Sequence, residues 1–253
     1  MNLQLTLLDW IALACFGTCW WGFPVYARWR SRSRASLLEL MNAYRRQWMR
    51  QVMTREMRIV DTSILASLGN SATFFSSTTI LILGGLLAML STSEEVLSAI
   101  GKLPLAVRTT AQVWELKIVL MLVIFTYAFF VFTWSLRQFN FVAILVGAAG
   151  ARSADADAHA QLAARAGRIL EHAGESFSKG LRAYYFALAA LGWFVHPVLF
   201  AAASFAVVGM LAWLEFYSDT AQSLRVRLSL EEPQAAASPH ASPTSNPSPA
   251  STP

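Results

Sequence analysis

The sequence predicts an all-α integral membrane helical bundle, and three observations carry that prediction. First, 55% of the 253 residues are hydrophobic and only 14% are charged, with a mean hydropathy of +0.44. Soluble proteins carry roughly 25% charged residues, and a chain this apolar would need a core larger than its length can enclose. Second, long stretches lack charge altogether: Thr62 to Ser93 contains no ionised side chain, and Ala183 to Leu214 contains no Asp, Glu, Lys or Arg. Third, the basic residues collect between the apolar stretches rather than within them, as expected of a chain sorted across a bilayer.

Taken in order, Leu5 to Ala27 is long enough to cross the ~30 Å hydrocarbon layer. It carries Asp9 as its only charge, with Trp20, Trp21 and Tyr26 toward its far end. The positive charges follow the apolar run instead of preceding it, so the segment is expected to be a retained helix and not a cleavable signal. Arg28 to Val60 then changes character, with Arg28, Arg30, Arg32, Arg34, Arg45, Arg46, Arg50, Arg55 and Arg58 opposed only by Glu39 and Glu56. Leu37, Met41, Tyr44, Trp48, Val52 and Ile59 recur at helical spacing. A basic amphipathic helix of this kind is expected to lie along a membrane surface or against a partner. Anionic lipid is adjacent, which disfavours nucleic acid as its ligand.

A second span is expected over about 64–90. Its first half is polar (Asn70, Ser71, Thr73, Ser76, Ser77, Thr78, Thr79), and its second half is aliphatic with Gly84 and Gly85. Span three, 118–136, is rich in Phe and closes on Trp134 and Arg137. Phe141 to Gly150 is apolar but too short to span, and the alanine-rich stretch after it, with Arg165, Arg168, Glu171 and Glu175, predicts a helix on the membrane surface. The last run, 183–214, would be about 48 Å long as one helix. Pro197 removes a backbone donor, so one long Pro-kinked span is favoured. A hairpin at His196-Pro197, giving five spans, is the alternative. Residues 1–232 thus form a multi-pass membrane domain with cytoplasmic amphipathic helices, and 233–253, made of Pro, Ala, Ser, Thr, Gln, His and Asn, forms a disordered tail.

The distribution of Lys and Arg predicts orientation. The arginine-rich first loop and the loop holding Arg137, Arg152, Arg165, Arg168, Lys179 and Arg182 should be cytoplasmic. The N-terminus is then outside, in a bacterial inner membrane. Four spans leave the C-terminus outside, whereas Arg225 and Arg227 favour the inside.

The runs Trp114-Glu115-Leu116-Lys117, Phe132-Thr133-Trp134-Ser135-Leu136-Arg137-Gln138-Phe139-Asn140 and Gly180-Leu181-Arg182-Ala183-Tyr184-Tyr185-Phe186-Ala187-Leu188-Ala189-Ala190-Leu191 resemble the uncharacterised membrane-protein family catalogued as domain of unknown function 599. The resemblance covers about residues 4 to 220. Members often place a basic pair before the final Glu-Phe, where Trp213-Leu214 precede Glu215-Phe216 in this chain. The resemblance supports the membrane reading and implies no activity.

Few residues point to chemistry. Asn70, Thr73 and Ser77 share one helix face and are candidates to line a hydrated path, although small and hydroxylated residues also serve helix packing. His196 is an ionisable group inside an apolar run, or a cap for a carbonyl freed at the kink. Arg45, Arg46, Arg50, Arg137 and Arg182 are candidate lipid or partner contacts. Cys15 and Cys19 lie one turn apart but lack further ligands, and Met49, Met53 and Met57 alternate with arginines, so no metal or other cofactor is expected. Glu115, Lys117 and Asp9 are expected at the outer interface. No phosphate-cradling loop, zinc motif or nucleophile elbow occurs, which argues against an enzyme. Two functions remain: an oligomeric ion or small-solute pathway lined by the polar half of span two, or an accessory scaffold whose basic cytoplasmic face holds anionic lipid head groups or a protein partner.

Overall fold

A computed structural model describes residues 5–55, 57–91, 110–149 and 156–224. Six main helices are described, α1 (Leu7–Ser31), α2 (Leu37–Thr54), α3 (Ile59–Ser91), α4 (Ala111–Ala148), α5 (Ala156–Val195) and α6 (Pro197–Phe216), and a short helical segment follows at 219–224. Three stretches are long and apolar enough to cross a membrane: Ile59–Ser91, Ala111–Ala148 and Pro197–Leu224. Two helix starts are set locally by capping boxes. Thr6 and Asp9 exchange hydrogen bonds at the head of α1, and Ser36 and Glu39 do so at the head of α2; each box satisfies amides that a helix terminus otherwise leaves unpaired.

The helices build two cores stacked end to end. One joins Ala12, Phe16 and Cys19 of α1 to Met121, Phe125 and Phe132 of α4, Phe186, Ala190 and Trp193 of α5 and Phe200 of α6. Aromatic rings fill it: Phe16 meets Phe186 edge-on, Phe75 stacks on Phe132 at 5.2 Å, and Trp193 stacks on Phe200 at 5.4 Å. The second core joins Met49, Val52 and Met53 of α2 to Leu65 of α3, Phe139, Val142 and Val146 of α4, and Ala163, Ala166, Leu170 and Ala173 of α5.

Helices α3, α4 and α5 pass through both cores. They hold 33, 38 and 40 residues, so they are about 50, 57 and 60 Å long, well beyond a ~30 Å hydrocarbon layer. Exposed indoles mark a level for that layer. Trp10 and Trp29 on α1 are both exposed and stand about 28 Å apart along the helix. Trp134 and Trp213 lie exposed toward the Trp29 end. The first core lies between these levels, and the second forms an extension beyond them.

Several expectations change. The run 183–214 is not one long kinked helix. His196 adopts an extended backbone (φ −158°, ψ 140°), caps α6 through its own side chain, and hands the chain to Pro197 as the first helical residue. Proline suits that position because its missing N–H would be unsatisfied there anyway. Helices α5 and α6 then fold back as a hairpin, since Trp193 stacks on Phe200 and Arg182 comes within electrostatic reach of Glu215. The close turn needs Gly192, whose added Cβ would stand 3.2 Å from the Phe200 amide.

Counted from Ala183, where the charge-free run begins, the first arm of the hairpin would be too short to cross a ~30 Å layer. It is not short, because α5 runs unbroken from Ala156. The alanine-rich stretch is therefore the first half of that helix and not a separate surface helix. Its small residues Ala163, Ala166 and Ala173 face α2 and α4. Likewise Phe141 to Ala148 continues α4 into the extension. The tail 233–253, expected to be disordered, lies outside the described residues, as do residues 92–109.

Candidate functional site

The charged residues of the extension are organised around the α2–α5 contact. Antiparallel register brings Asn42 to Glu175 (3.4 Å) and Arg46 to Glu171 (2.7 Å). The Arg45 guanidinium is held by the Asn42 side chain at 2.7 Å and lies directly on Gly174, where a Cβ would collide with it. Burial pushes the Arg45 pKa down, and the Glu171 and Glu175 carboxylates oppose that shift. So Arg45 and Arg46, expected to meet lipid or another protein, are engaged within the chain. The partner of the basic helix is α5, and its apolar stripe is covered by the second core instead of by lipid. What remains outward and outside any ion pair among the described residues is Arg50 of α2 with Arg165 and Arg168 of α5. The α2–α5 register sets Arg50 level with the turn that carries Arg165.

Two further residues close this extension, and no spacing rule pointed to them. Arg58 donates to the carbonyls of Val52 (3.2 Å) and Met53 (3.4 Å) at the end of α2, and to Val146 (3.1 Å) and Ala149 at the end of α4. One guanidinium thus serves two helix C-termini, where a cation is favoured. Asp61, fully buried, accepts from Trp48 Nε1 and Arg55 at 2.8 Å each, both on Oδ1. Its Oδ2 is unpartnered.

At the hairpin end, Asp9 and Lys117 are only 6% and 5% exposed, so both face into the bundle. Trp193 Nε1 donates to Asp9 at 2.8 Å, and the Lys117 ammonium stands 5.6 Å from the Trp193 ring centre and 5.9 Å from that of Phe194. The grouping ties α1, α4 and α5 together. It was hidden in the sequence because Asp9 and Trp193 are far apart along the chain.

The remaining sequence candidates are dispersed. Asn70, Thr73 and Ser77 do share a face, but that face is exposed on the outside of the bundle, away from its interior. Thr73 bonds back to the Gly69 carbonyl at 3.1 Å. The buried hydroxyls of α3 are instead Ser76 and Thr79, the latter 2.8 Å from the Tyr184 hydroxyl. His196 is exposed and its Nδ1 accepts the Val198 amide. Arg137 is exposed, 5.9 Å from the Phe141 ring centre. Cys15 and Cys19 are free thiols, and among the described residues no group of three or more His, Cys, Asp or Glu is placed to hold a metal.

Fold and surface together define the class: a polytopic helical membrane protein whose bundle continues into a basic extension. A family model described as protein of unknown function, DUF599, matches residues 11–220, and the chain belongs to that family. No curated protein and no solved structure matches it.

Proposed function

We propose that this protein is a non-enzymatic membrane scaffold that presents a rigid, basic cytoplasmic platform to an acidic protein partner. The observation that carries this reading is the continuity of α3, α4 and α5 from the first core into the second. Three unbroken helices closed by α2 make a platform fixed to the membrane part, and Arg50, Arg165 and Arg168 project from it. An interior packed with Phe16, Phe132, Phe186, Trp193 and Phe200 leaves no hydrated core among the described residues. The arginine-rich end is cytoplasmic on the positive-inside rule. With α5 and α6 folded as a hairpin, the reading becomes five crossings in a bacterial inner membrane, N-terminus outside and C-terminus inside, in agreement with Arg225 and Arg227.

Reversing Arg50, Arg165 and Arg168 to Glu tests the proposal. The triple variant should fold like wild type yet lose at least about tenfold of the partner crosslinked in native membranes, because opposed charges at an interface repel. Equal crosslinking of both proteins would sink the platform reading.

One observation favours a second reading, an ion or solute pathway between copies. Asn70, Thr73 and Ser77 face outward on α3, where only another chain would enclose them. Thr73→Leu with Ser77→Leu should then abolish liposome flux without altering folding.

A further inference from the structure

The arginines that end α1 and punctuate α5 meet at one place on the bundle. The Arg182 guanidinium lies against the buried Phe23 ring, 5.6 Å from its centre. Arg28, just beyond Phe23 on α1 and exposed, is within electrostatic reach of Arg182, as are Tyr127 of α4 and Glu215 of α6. Glu215 is the one acid in this group, and its Oε1 already accepts the Leu38 amide at 3.1 Å where α2 begins. No ion pair within 4.0 Å joins Glu215 to either arginine among the described residues.

Two guanidiniums therefore share one nearby carboxylate, itself engaged by the Leu38 amide, with no ion pair within 4.0 Å among the described residues. Arg182 lies over the Phe23 ring, a cation–π contact that offsets only part of the cost of holding a charge away from water. Trp29, Trp213 and Tyr217 are exposed at this end of α1 and α6, and amphipathic aromatics of this kind settle at the head-group level of a bilayer. Arg182 is long enough to direct its charged head from beside Phe23 toward that level while its stem stays in the bundle wall.

We propose that Arg28 and Arg182 form a binding site for the phosphate of an anionic phospholipid in the leaflet at the α2 end. The guanidinium fork matches phosphate oxygens in a bidentate manner that an ammonium does not. Phosphate supplies the second negative charge that two arginines beside one carboxylate lack, and the acyl chains lie along the exposed apolar surface of α1 next to Trp21 and Val25. The platform residues Arg50, Arg165 and Arg168 take no part, so this site stands apart from the partner reading.

The test uses the full chain, purified in mild detergent and stripped of lipid. Phosphatidylglycerol, phosphatidylcholine or inorganic phosphate is then added, and bound lipid is counted by native mass spectrometry beside the thermal midpoint. Wild type should retain phosphatidylglycerol and gain midpoint from it, with little response to phosphatidylcholine or inorganic phosphate. Arg28→Gln with Arg182→Gln should lose retention at least about tenfold, and Arg182→Lys, which keeps the charge but not the fork, should lose it in part. An Arg165→Gln, Arg168→Gln control should behave as wild type. Equal retention of phosphatidylcholine by wild type overturns the site whatever the variants do. So does inorganic phosphate matching the lipid, or undiminished retention by a folded double variant.

Discussion

Arg58 shows how one side chain joins two elements. Its guanidinium serves the last carbonyls of both α2 and α4, and hydrogen bonds from a charged donor are worth about 1.5–3 kcal/mol each. Arg58→Ala should lower stability by about 2–4 kcal/mol in detergent thermal denaturation, below the sum because water re-satisfies part of the set. Arg58→Lys should recover less than half, since a single ammonium cannot bridge both ends. At the hairpin end, Asp9 and Lys117 form a buried, mutually dependent grouping. Removing either charge leaves the other enclosed. Lys117→Met alone and Asp9→Asn alone should each cost about 1–3 kcal/mol, and the double variant should cost less than the sum. Strict additivity in that cycle would mean the two do not interact.

At the scale of elements, the closeness of α4 and α5 depends on a missing side chain. A Cβ at Gly180 would stand 2.5 Å from the ring of the fully buried Phe132, whereas one at Gly84 or Gly85 would meet nothing within 4 Å. Gly180→Ala should therefore destabilise by about 1–3 kcal/mol through overpacking. Gly84→Ala and Gly85→Ala should be neutral or slightly stabilising in the isolated protomer, and thermal midpoints in detergent separate the two cases. Loss of stability from Gly84→Ala in liposomes alone would instead show a second chain packed on α3. The two cores differ in what holds them. Lipid is as apolar as the side chains of the first core, so packing and dispersion dominate there. The second core is withdrawn from water, and its cohesion is hydrophobic.

For the whole molecule, the hairpin decides topology. If α5 and α6 both cross, a reporter placed after Leu224 lies on the same side as α2. A green fluorescent protein fusion there should fluoresce and an alkaline phosphatase fusion should be inactive. A cysteine at Val198 in a chain with Cys15 and Cys19 replaced should react with an impermeant maleimide from outside. A phosphatase-active C-terminal fusion would return the molecule to four crossings.

The sequence alone determined the class of the protein and the family it belongs to. Charge-free runs, clustered arginines and the long Gly180 to Leu191 motif are local signals, and local signals survive without a fold. It also showed that Asn70, Thr73 and Ser77 share a face, because helical periodicity is a property of one element. Only the tertiary structure decided where that face points, since orientation depends on which neighbours cover a helix. It decided, too, that α2 rests on α5, that Arg45 and Arg46 find acids within the chain, and that Asp9 reaches Trp193. Each of these joins residues far apart along the chain, and periodicity carries no information about such pairs. The choice between a kink and a hairpin at His196-Pro197 was undecidable locally for the same reason. Proline breaks the helix either way, and the packing of Trp193 on Phe200 and of α6 on α1 selects the return.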